Sequence, residues 1–359
     1  MAEGLGRRNL APRYCWVLQS EKTDTCYSSR HRVDMSDVVI IGAGMSGIAC
    51  ARALHAAGVP VRLIDKGRGI GGRVATRRMA VAGNTITFDH GAQYLDQSED
   101  AAAIAALGKG AVDVWHLGDG SSRIVGMPGM AALPKALAKG LDVTLNTRVT
   151  TVRACGGFCE INTDAGKTTA SHVVVTVPAP QLSTILGETH AIVEQASHAV
   201  MRPCLTLMTA FNRDTPAPFM TRRDANSLLT WIAQNNTKPG RSTAYQTWVA
   251  QANPDWSAAN IDADRSETKT RMVELLCSGL GVDPAKLCHV GLQGWRYGLV
   301  ETPLGQSFLT DGTLWAGGDW CCGPKVQDAW RSGTDIAANI LNALESSLSV
   351  RSAVANESG

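Results

Sequence analysis

The sequence predicts an α/β protein in which a domain with a buried parallel sheet is joined to a second, mixed α/β domain. Three observations predict this class. The 359 residues suffice for two hydrophobic cores. Residues 37–65 follow the order strand, tight turn, helix, strand, which is typical of a parallel sheet. Residues 181–289 mix helical stretches with strands and contain no repeat of that unit.

The strand–helix–strand unit is the clearest local pattern. Residues 37–41, DVVII, form an apolar β-branched run that suits a strand buried on both faces. A glycine-rich turn follows, and apolar residues then recur at helical spacing until Gly58 ends the helix. Residues 61–64, VRLI, begin the next strand.

Three later segments also have readable patterns. Residues 141–180 alternate apolar and polar side chains between turn signals, which predicts a β-meander ending in the buried strand HVVVTV. Residues 313–318 predict a strand, and residues 326–345 predict an amphipathic helix. Residues 346–359 are expected to be a frayed tail.

The pattern assigns the chain to two interleaved domains. The boundaries are a 1–34 extension, a discontinuous sheet domain at 35–95, 136–180 and 290–345, a second domain at 96–135 and 181–289, and a tail at 346–359.

Charge and cysteine content limit the function classes. The net charge of +2 belongs to residues 1–34, where six cations face four acids, and the rest of the chain is neutral. We expect Met35 to begin the functional chain and the extension to be disordered or a non-native start. A neutral body gives no electrostatic reason to bind nucleic acid or an anionic membrane. Ten cysteines without a secretory signal suggest reduced thiols and a cytoplasmic protein.

The first glycine-rich turn has the spacing of a phosphate-binding loop. Gly42, Gly44 and Gly47 lie between a strand and a helix, where they allow a tight turn, a close approach of pyrophosphate and close helix packing. Asp65 ends the second strand, where a carboxylate accepts bonds from the ribose hydroxyls and repels a 2′-phosphate. A tight structural turn is the alternative. The pattern predicts a bound dinucleotide, either FAD or NAD.

A second glycine-rich loop decides between FAD and NAD. Residues 64–78, IDKGRGIGGRVATRR, place Gly72 among four glycines, with Arg68, Arg73 and Arg77 beside them. Guanidinium groups on a flexible loop can hold a second side of a pyrophosphate. A solvated basic loop is the alternative. The loop favours FAD.

Several motifs together resemble the renalase family, within the wider amine-oxidase-like class of flavoproteins. They are DKGRGIGGRVATRR followed by FDHGAQYL, VGMPGMAALPKAL, WIAQNNTKPGR, GWRYGLVETP and GGDWCCGPKVQDAWRSG. The resemblance spans residues 35–344. It implies a Rossmann-like FAD-binding domain of the glutathione-reductase and amine-oxidase type, a second mixed α/β substrate domain and FAD held without a covalent bond.

The resemblance also assigns residues by position. It implies FAD contacts at Gly42, Gly44, Met45, Asp65, Lys66, Arg73, Ala92, Gln93, Val149, Asp319 and Val326. Trp295 and Tyr297 are candidates for the wall of a substrate pocket, with ordinary core packing as the alternative. No catalytic side chain is assigned, because the flavin carries the chemistry. Gln293 and Gly294 depart from the family pattern and put the substrate preference in doubt.

The absence of several motifs limits the types of reaction that the protein could catalyse. Apart from the two glycine-rich loops, the sequence contains no G-x-G-x-x-G, and it also lacks a C-x-x-C, a Ser-His-Asp set and a metal-ligand spacing. Three functions stay open. The resemblance favours an oxidase of isomeric dihydronicotinamides (2- or 6-dihydro-NAD(P)), with a small-molecule substrate and O2 as acceptor. The others are a flavin amine oxidase or desaturase, and a non-catalytic FAD-binding protein.

Overall fold

The computed structural model describes the backbone of residues 37–357 and the side chains of residues 37–346. The predicted 1–34 extension lies outside the described residues. The strands in chain order are β1 (Val38–Ile41), β2 (Val61–Ile64), β3 (Thr76–Val81), β4 (Asn84–Asp89), β5 (Val112–His116), β6 (Ser122–Gly126), β7 (Asp142–Thr144), β8 (Val149–Ala154), β9 (Cys159–Thr163), β10 (Gly166–Ala170), β11 (His172–Val175), β12 (Val200–Asn212), β13 (Thr221–Arg223), β14 (Leu229–Gln234), β15 (Tyr245–Ala252), β16 (Leu287–Thr302), β17 (Leu309–Asp311) and β18 (Leu314–Ala316). The α-helices are α1 (Met45–Ala56), α2 (Glu99–Leu107), α3 (Ala132–Leu137), α4 (Leu182–Leu186), α5 (Ala191–Ala196), α6 (Pro254–Asn260), α7 (Arg265–Leu280), α8 (Asp319–Cys322) and α9 (Val326–Glu357).

The first sheet has the strand order β17–β18–β11–β1–β2–β7. The four pairings from β18 to β7 are parallel, and β17 pairs with β18 in the antiparallel direction at the edge. All four residues of β1 are buried, because helices and loops cover both faces of the strand. The predicted strand–helix–strand unit is confirmed as β1, α1 and β2.

Helices α1 and α9 pack together on one face of this sheet. Ile48 and Leu54 of α1 share a hydrophobic core with Ile336 and Ile340 of α9. The backbones touch at Gly333, where a Cβ atom would lie 2.0 Å from the Ser46 carbonyl oxygen. Only glycine allows this approach, and it holds the first turn of α1 against the second turn of α9.

The second sheet is antiparallel and has the order β13–β14–β15–β12–β16. Helix α7 covers one face of it and places Met272 and Leu276 against Leu205 and Trp248. This arrangement confirms a second mixed α/β region. No helix in the described part of the chain is long and apolar enough to cross a membrane.

The structure differs from the predicted domain boundaries at three places. The predicted sheet domain began again at residue 290, but β16 spans Leu287–Thr302 and pairs with β12 of the second sheet. Helix α2, placed in the second domain, instead buries Ala101 and Ile104 in the core formed by α1 and α9. The predicted tail at 346–359 is helical to Glu357, because α9 runs on beyond residue 345 without a break.

A buried ion cluster joins the two-stranded β3–β4 sheet to the turn before α3 and to the segment that follows β14. The Asp89 carboxylate, at the end of β4, accepts bonds from Lys238 Nζ at 3.1 Å and from Arg241 Nη2 at 2.6 Å. It also accepts from Thr76 Oγ1 at 2.7 Å and from the Met130 backbone N–H at 2.8 Å. Burial alone raises the pKa of the Asp89 carboxyl, but the two adjacent cations outweigh it and hold the pKa below its usual value.

We predict that Gly333→Ala will destabilise the protein by about 2–3 kcal/mol, because the added methyl group must push two helix backbones apart. Thermal unfolding followed by circular dichroism measures the loss. Gly118→Ala is the matched control, since a Cβ at Gly118 meets nothing within 4 Å. Equal melting temperatures for the two variants would contradict the close helix contact.

Candidate active site

A cavity of about 1120 Å³ opens where the two sheets meet. The carboxyl ends of β1 and β2 supply one part of its wall, through Gly42 and Asp65. Strands β14 and β16 of the second sheet supply another part, through Trp231 and Trp295. Ligands of open α/β sheets bind at the carboxyl ends of the parallel strands, and this cavity lies at that position.

The three glycines of the first loop have different surroundings. Gly42 has a φ of +108°, a conformation that favours glycine. A Cβ at Gly47 would lie 2.0 Å from the Gly42 carbonyl oxygen, so Gly47 lets α1 pack against the turn. A Cβ at Gly44 meets nothing within 4 Å, because Gly44 faces the cavity. The loop is thus closed on the protein side and open toward a ligand.

The Asp65 carboxylate links the two glycine loops. One oxygen accepts from the Ala43 N–H of the first loop at 2.6 Å, and the other accepts from the Gly67 N–H of the second loop at 2.6 Å. The neighbouring Lys66 donates to Gln181 Oε1 at 3.0 Å. Burial, followed by the charge of Arg148, lowers the pKa of Lys66. Asp65 therefore shapes both loops as well as facing the cavity.

Arg73 and Asp319 form an ion pair across the cavity wall. Arg73 Nη2 lies 2.6 Å from Asp319 Oδ1, and Arg73 Nη1 donates to the Tyr297 carbonyl at 3.2 Å. These contacts join the second glycine loop to β16 and to α8. The sequence suggested separate ligand contacts for the two residues and did not suggest that they meet.

The structure brings most of the predicted site residues to this one cavity. Those on its wall are Gly42, Gly44, Met45, Asp65, Lys66, Gly72, Arg73, Ala92, Gln93, Val149, Trp295, Tyr297, Asp319 and Val326. Gly47 and Arg68 are not on the wall. Of the two departures from the family pattern, Gly294 lines the cavity, whereas Gln293 lies off it and accepts a bond from Arg77 at 2.8 Å.

Trp295 is fixed by the segment that follows Asp89. Its indole N–H donates to the His90 carbonyl at 2.7 Å, and its ring stacks on the His90 ring with centroids 5.2 Å apart. Burial, followed by the charge of Arg77, lowers the pKa of His90 to about 4. The imidazole is therefore neutral at pH 7 and serves as a flat packing partner for Trp295.

Sequence reasoning missed three further residues on the cavity wall, namely Tyr94, Arg223 and Trp231. The Tyr94 and Trp231 rings meet edge to face, with centroids 5.7 Å apart. The Arg223 guanidinium lies 5.1 Å from the Trp231 ring centroid and donates to Tyr94 Oη at 2.9 Å. Two of these residues lie within quoted motifs, HGAQY and WIAQNNTKPGR, so an aromatic search of those motifs could have found them.

Two sequence profiles match the chain. The profile described as NAD(P)-binding Rossmann-like domain matches residues 40–108, and the one described as flavin containing amine oxidoreductase matches residues 103–341. The chain belongs to the flavin-containing amine oxidoreductase family. This membership confirms the predicted fold class and the amine-oxidase-like class of flavoproteins.

Solved structures with this fold include several oxidases. Putrescine oxidase with bound putrescine is 16% identical, with a TM-score of 0.64, over 86% of this chain and 99% of that one. Cyclohexylamine oxidase from Brevibacterium oxydans IH-35A is 14% identical, with a TM-score of 0.63, over 86% and 99%. A putative protoporphyrinogen oxidase from Exiguobacterium sp. 255-15 is 15% identical, with a TM-score of 0.62, over 85% and 98%.

The cofactor of this amine oxidoreductase is FAD, and the cavity suits it. The open space in front of Gly44 has room for a pyrophosphate, and the Rossmann strands end at the cavity. Within the described residues, no group of three or more His, Cys, Asp or Glu side chains could hold a metal ion.

We predict that Gly44→Val and Gly47→Ala will fail in different ways. Valine at position 44 fills the cavity side of the loop, so the protein should fold but lose most of its FAD. Alanine at position 47 meets the Gly42 carbonyl at 2.0 Å and should lower stability by about 2–3 kcal/mol. The flavin-to-protein ratio and the melting temperature separate these effects. Full flavin occupancy in Gly44→Val would refute the placement of the pyrophosphate.

We predict that His90 makes stability fall in acid. The unfolded chain binds a proton near pH 6.5 and the folded chain only near pH 4, so the unfolded state gains protons first as the pH drops. The loss across that window is on the order of 2–3 kcal/mol. His90→Phe keeps a flat ring and should show a shallower fall in melting temperature from pH 7 to pH 4.5. His116→Gln, at an exposed site on β5, should keep the wild-type slope.

Proposed function

We propose that the protein oxidises isomeric dihydronicotinamides, 2- or 6-dihydro-NAD(P), to NAD(P)+. FAD held by the two glycine loops would supply the hydride acceptor, and O2, with a proton from solvent, would take up the electron pair as hydrogen peroxide. The charge of the cavity wall is the observation that carries this proposal, because it favours an anionic dinucleotide over a cationic amine.

Six cationic side chains face three carboxylates on the wall. The cations are Lys66, Arg73, Arg148, Arg223, Arg296 and Lys325. Each carboxylate is already bonded, Asp65 to two backbone N–H groups, Asp96 to Lys325 and Asp319 to Arg73. Arg296 pairs with Asp262 outside the wall, so a pyrophosphate of FAD offsets about the two positive charges that remain in excess. Arg223 has no acidic partner among the described residues, and its charge can attract an anionic group of a second ligand.

The wall also lacks a side chain suited to act as a strong base. Within the described part of the chain it has no histidine and no glutamate. A dihydronicotinamide regains an aromatic ring when it gives up its hydride, so its oxidation needs no proton acceptor on the protein. Trp295 and Tyr297 offer flat surfaces that can orient such a ring, and this orientation is the protein's main contribution to the reaction.

We assign the binding of FAD to the predicted residues on the wall. Gly42, Gly44 and Met45 hold one side of the pyrophosphate, and the loop of Gly72 and Arg73 holds the other. Asp65, Lys66, Ala92, Gln93, Val149, Asp319 and Val326 complete the set. Val326 is the first residue of α9, so the positive end of a long helix dipole faces the cavity and favours negative charge there.

FAD is held without a covalent bond in this proposal. Cys204 is the cysteine that reaches the described cavity wall. Burial raises the pKa of its thiol to about 11, so the nucleophilic thiolate is scarce at pH 7. Flavin released by acid or heat precipitation is the corresponding observation.

A flavin amine oxidase or desaturase is the second candidate, favoured by the family and by the aromatic residues on the wall, which are Tyr94, Trp231, Trp295, Tyr297 and Trp320. An amine site needs these rings to be free to face the amine. The Arg223 guanidinium already lies over the Trp231 ring, and Arg123 lies 5.4 Å from the Tyr94 centroid. These charges repel a protonated amine.

We predict rapid anaerobic bleaching of the flavin by 2- or 6-dihydro-NAD, slow bleaching by ordinary NADH and none by catecholamines or putrescine. Stopped-flow absorbance at the flavin band measures all four donors on one enzyme preparation. Fast reduction by an amine, with none by the isomers, would move the assignment to an amine oxidase. Flavin that no donor reduces would favour a non-catalytic protein.

A further inference from the structure

The cavity wall contains a cation that no described carboxylate neutralises. Arg223 lies at the end of β13, its side chain is exposed, and it lines the cavity. Within residues 37–346, no acidic side chain forms an ion pair with it, whereas Arg73, Arg296 and Lys325 each have one. Its positive charge is therefore available to a ligand.

Two aromatic contacts hold this guanidinium in place. Its carbon lies 5.1 Å from the Trp231 ring centroid, and Nη2 donates to Tyr94 Oη at 2.9 Å. The remaining N–H groups of the planar fork are free to donate to an oxyanion. A guanidinium stacked on an indole is preorganised, so it loses little conformational freedom when an anion binds.

Trp231 and Arg123 complete the same corner of the cavity as packing partners. Trp231 is 8% exposed and lines the cavity, yet its indole N–H bonds to no acceptor in the described residues. Arg123 adds another guanidinium over Tyr94. Because the Trp231 Nε1 atom is itself fully buried, its N–H faces the protein rather than the cavity, and the Arg223 guanidinium is the donor that this corner offers to a ligand.

We propose that Arg223, positioned by Tyr94 and Trp231, is a specificity residue that binds the phosphate group of the substrate. This inference rests on the proposed function, and it adds that the enzyme selects phosphorylated dihydronicotinamides over the uncharged riboside. The neighbouring Arg222 offers a matched control. Its guanidinium stacks on Phe219 and donates to the Gly279 carbonyl, and it is not on the cavity wall.

The test compares 6-dihydronicotinamide riboside with its 5′-monophosphate as donors in anaerobic flavin reduction. In the wild type, the monophosphate should reach half-saturation at a concentration about ten-fold or more below that of the riboside. Arg223→Ala should reduce the ratio of the two half-saturating concentrations, riboside over monophosphate, to about two-fold. Arg223→Lys should give an intermediate ratio. Arg222→Ala should keep the wild-type ratio. High salt should narrow the ratio in the wild type, because it screens an exposed charge.

A binding measurement separates the two proposals. Equilibrium dialysis of oxidised nicotinamide mononucleotide and of nicotinamide riboside against the FAD-loaded protein needs no turnover. If no dihydronicotinamide bleaches the flavin, the proposed reaction is wrong. Tighter binding of the mononucleotide than of the riboside, lost in Arg223→Ala, would still support phosphate binding by Arg223. If Arg223→Ala keeps the wild-type preference for the mononucleotide, or if the wild type shows no such preference, Arg223 does not bind the phosphate group, whichever reaction the enzyme catalyses.

Discussion

The Asp89 carboxylate is fully buried, and the cavity depends on what converges there. Its partners come from three separate parts of the chain, namely the β3 strand, the turn at Met130 and the segment with Lys238 and Arg241. The cost of burying these charges is offset only while all of them are paired, because a lone buried charge costs several kcal/mol. The cluster therefore forms as a unit or does not form.

This cluster sets the position of the wall segment that follows it. Lys238 Nζ also donates to the Gln93 carbonyl at 3.0 Å and to Gln93 Oε1 at 3.2 Å, while Gln93 Nε2 donates back to the Asp89 carbonyl at 2.5 Å. Residues 90–93 are thus held at both ends. They in turn hold Trp295, through the His90 carbonyl and the His90 ring. Buried polar bonds thus position the substrate end of the cavity, while backbone loops shape the phosphate end.

The sequence was most informative where one short segment carries the structural signal. The first strand is uniformly apolar, and its glycine spacing is local, so the loop at Gly42, Gly44 and Asp65 could be placed from the sequence. Contacts between distant segments left no such pattern. Arg73 and Asp319 are 246 positions apart, and β16 joins the second sheet although the sequence analysis assigned residues 290–345 to the first sheet domain. Arg223 is one of several exposed arginines, and only its contact with Trp231 distinguishes it.

The glycine contact between α1 and α9 has a consequence for how this protein can change during evolution. Because the two helices meet backbone to backbone at Ser46 and Gly333, no side chain sets their spacing at that point. Apolar residues elsewhere between the helices can be exchanged for others of similar volume without changing that spacing. The first turns of both helices reach the cofactor cavity. Substitutions in the hydrophobic core therefore leave the position of these first turns at the cofactor cavity unchanged, provided that residue 333 stays glycine.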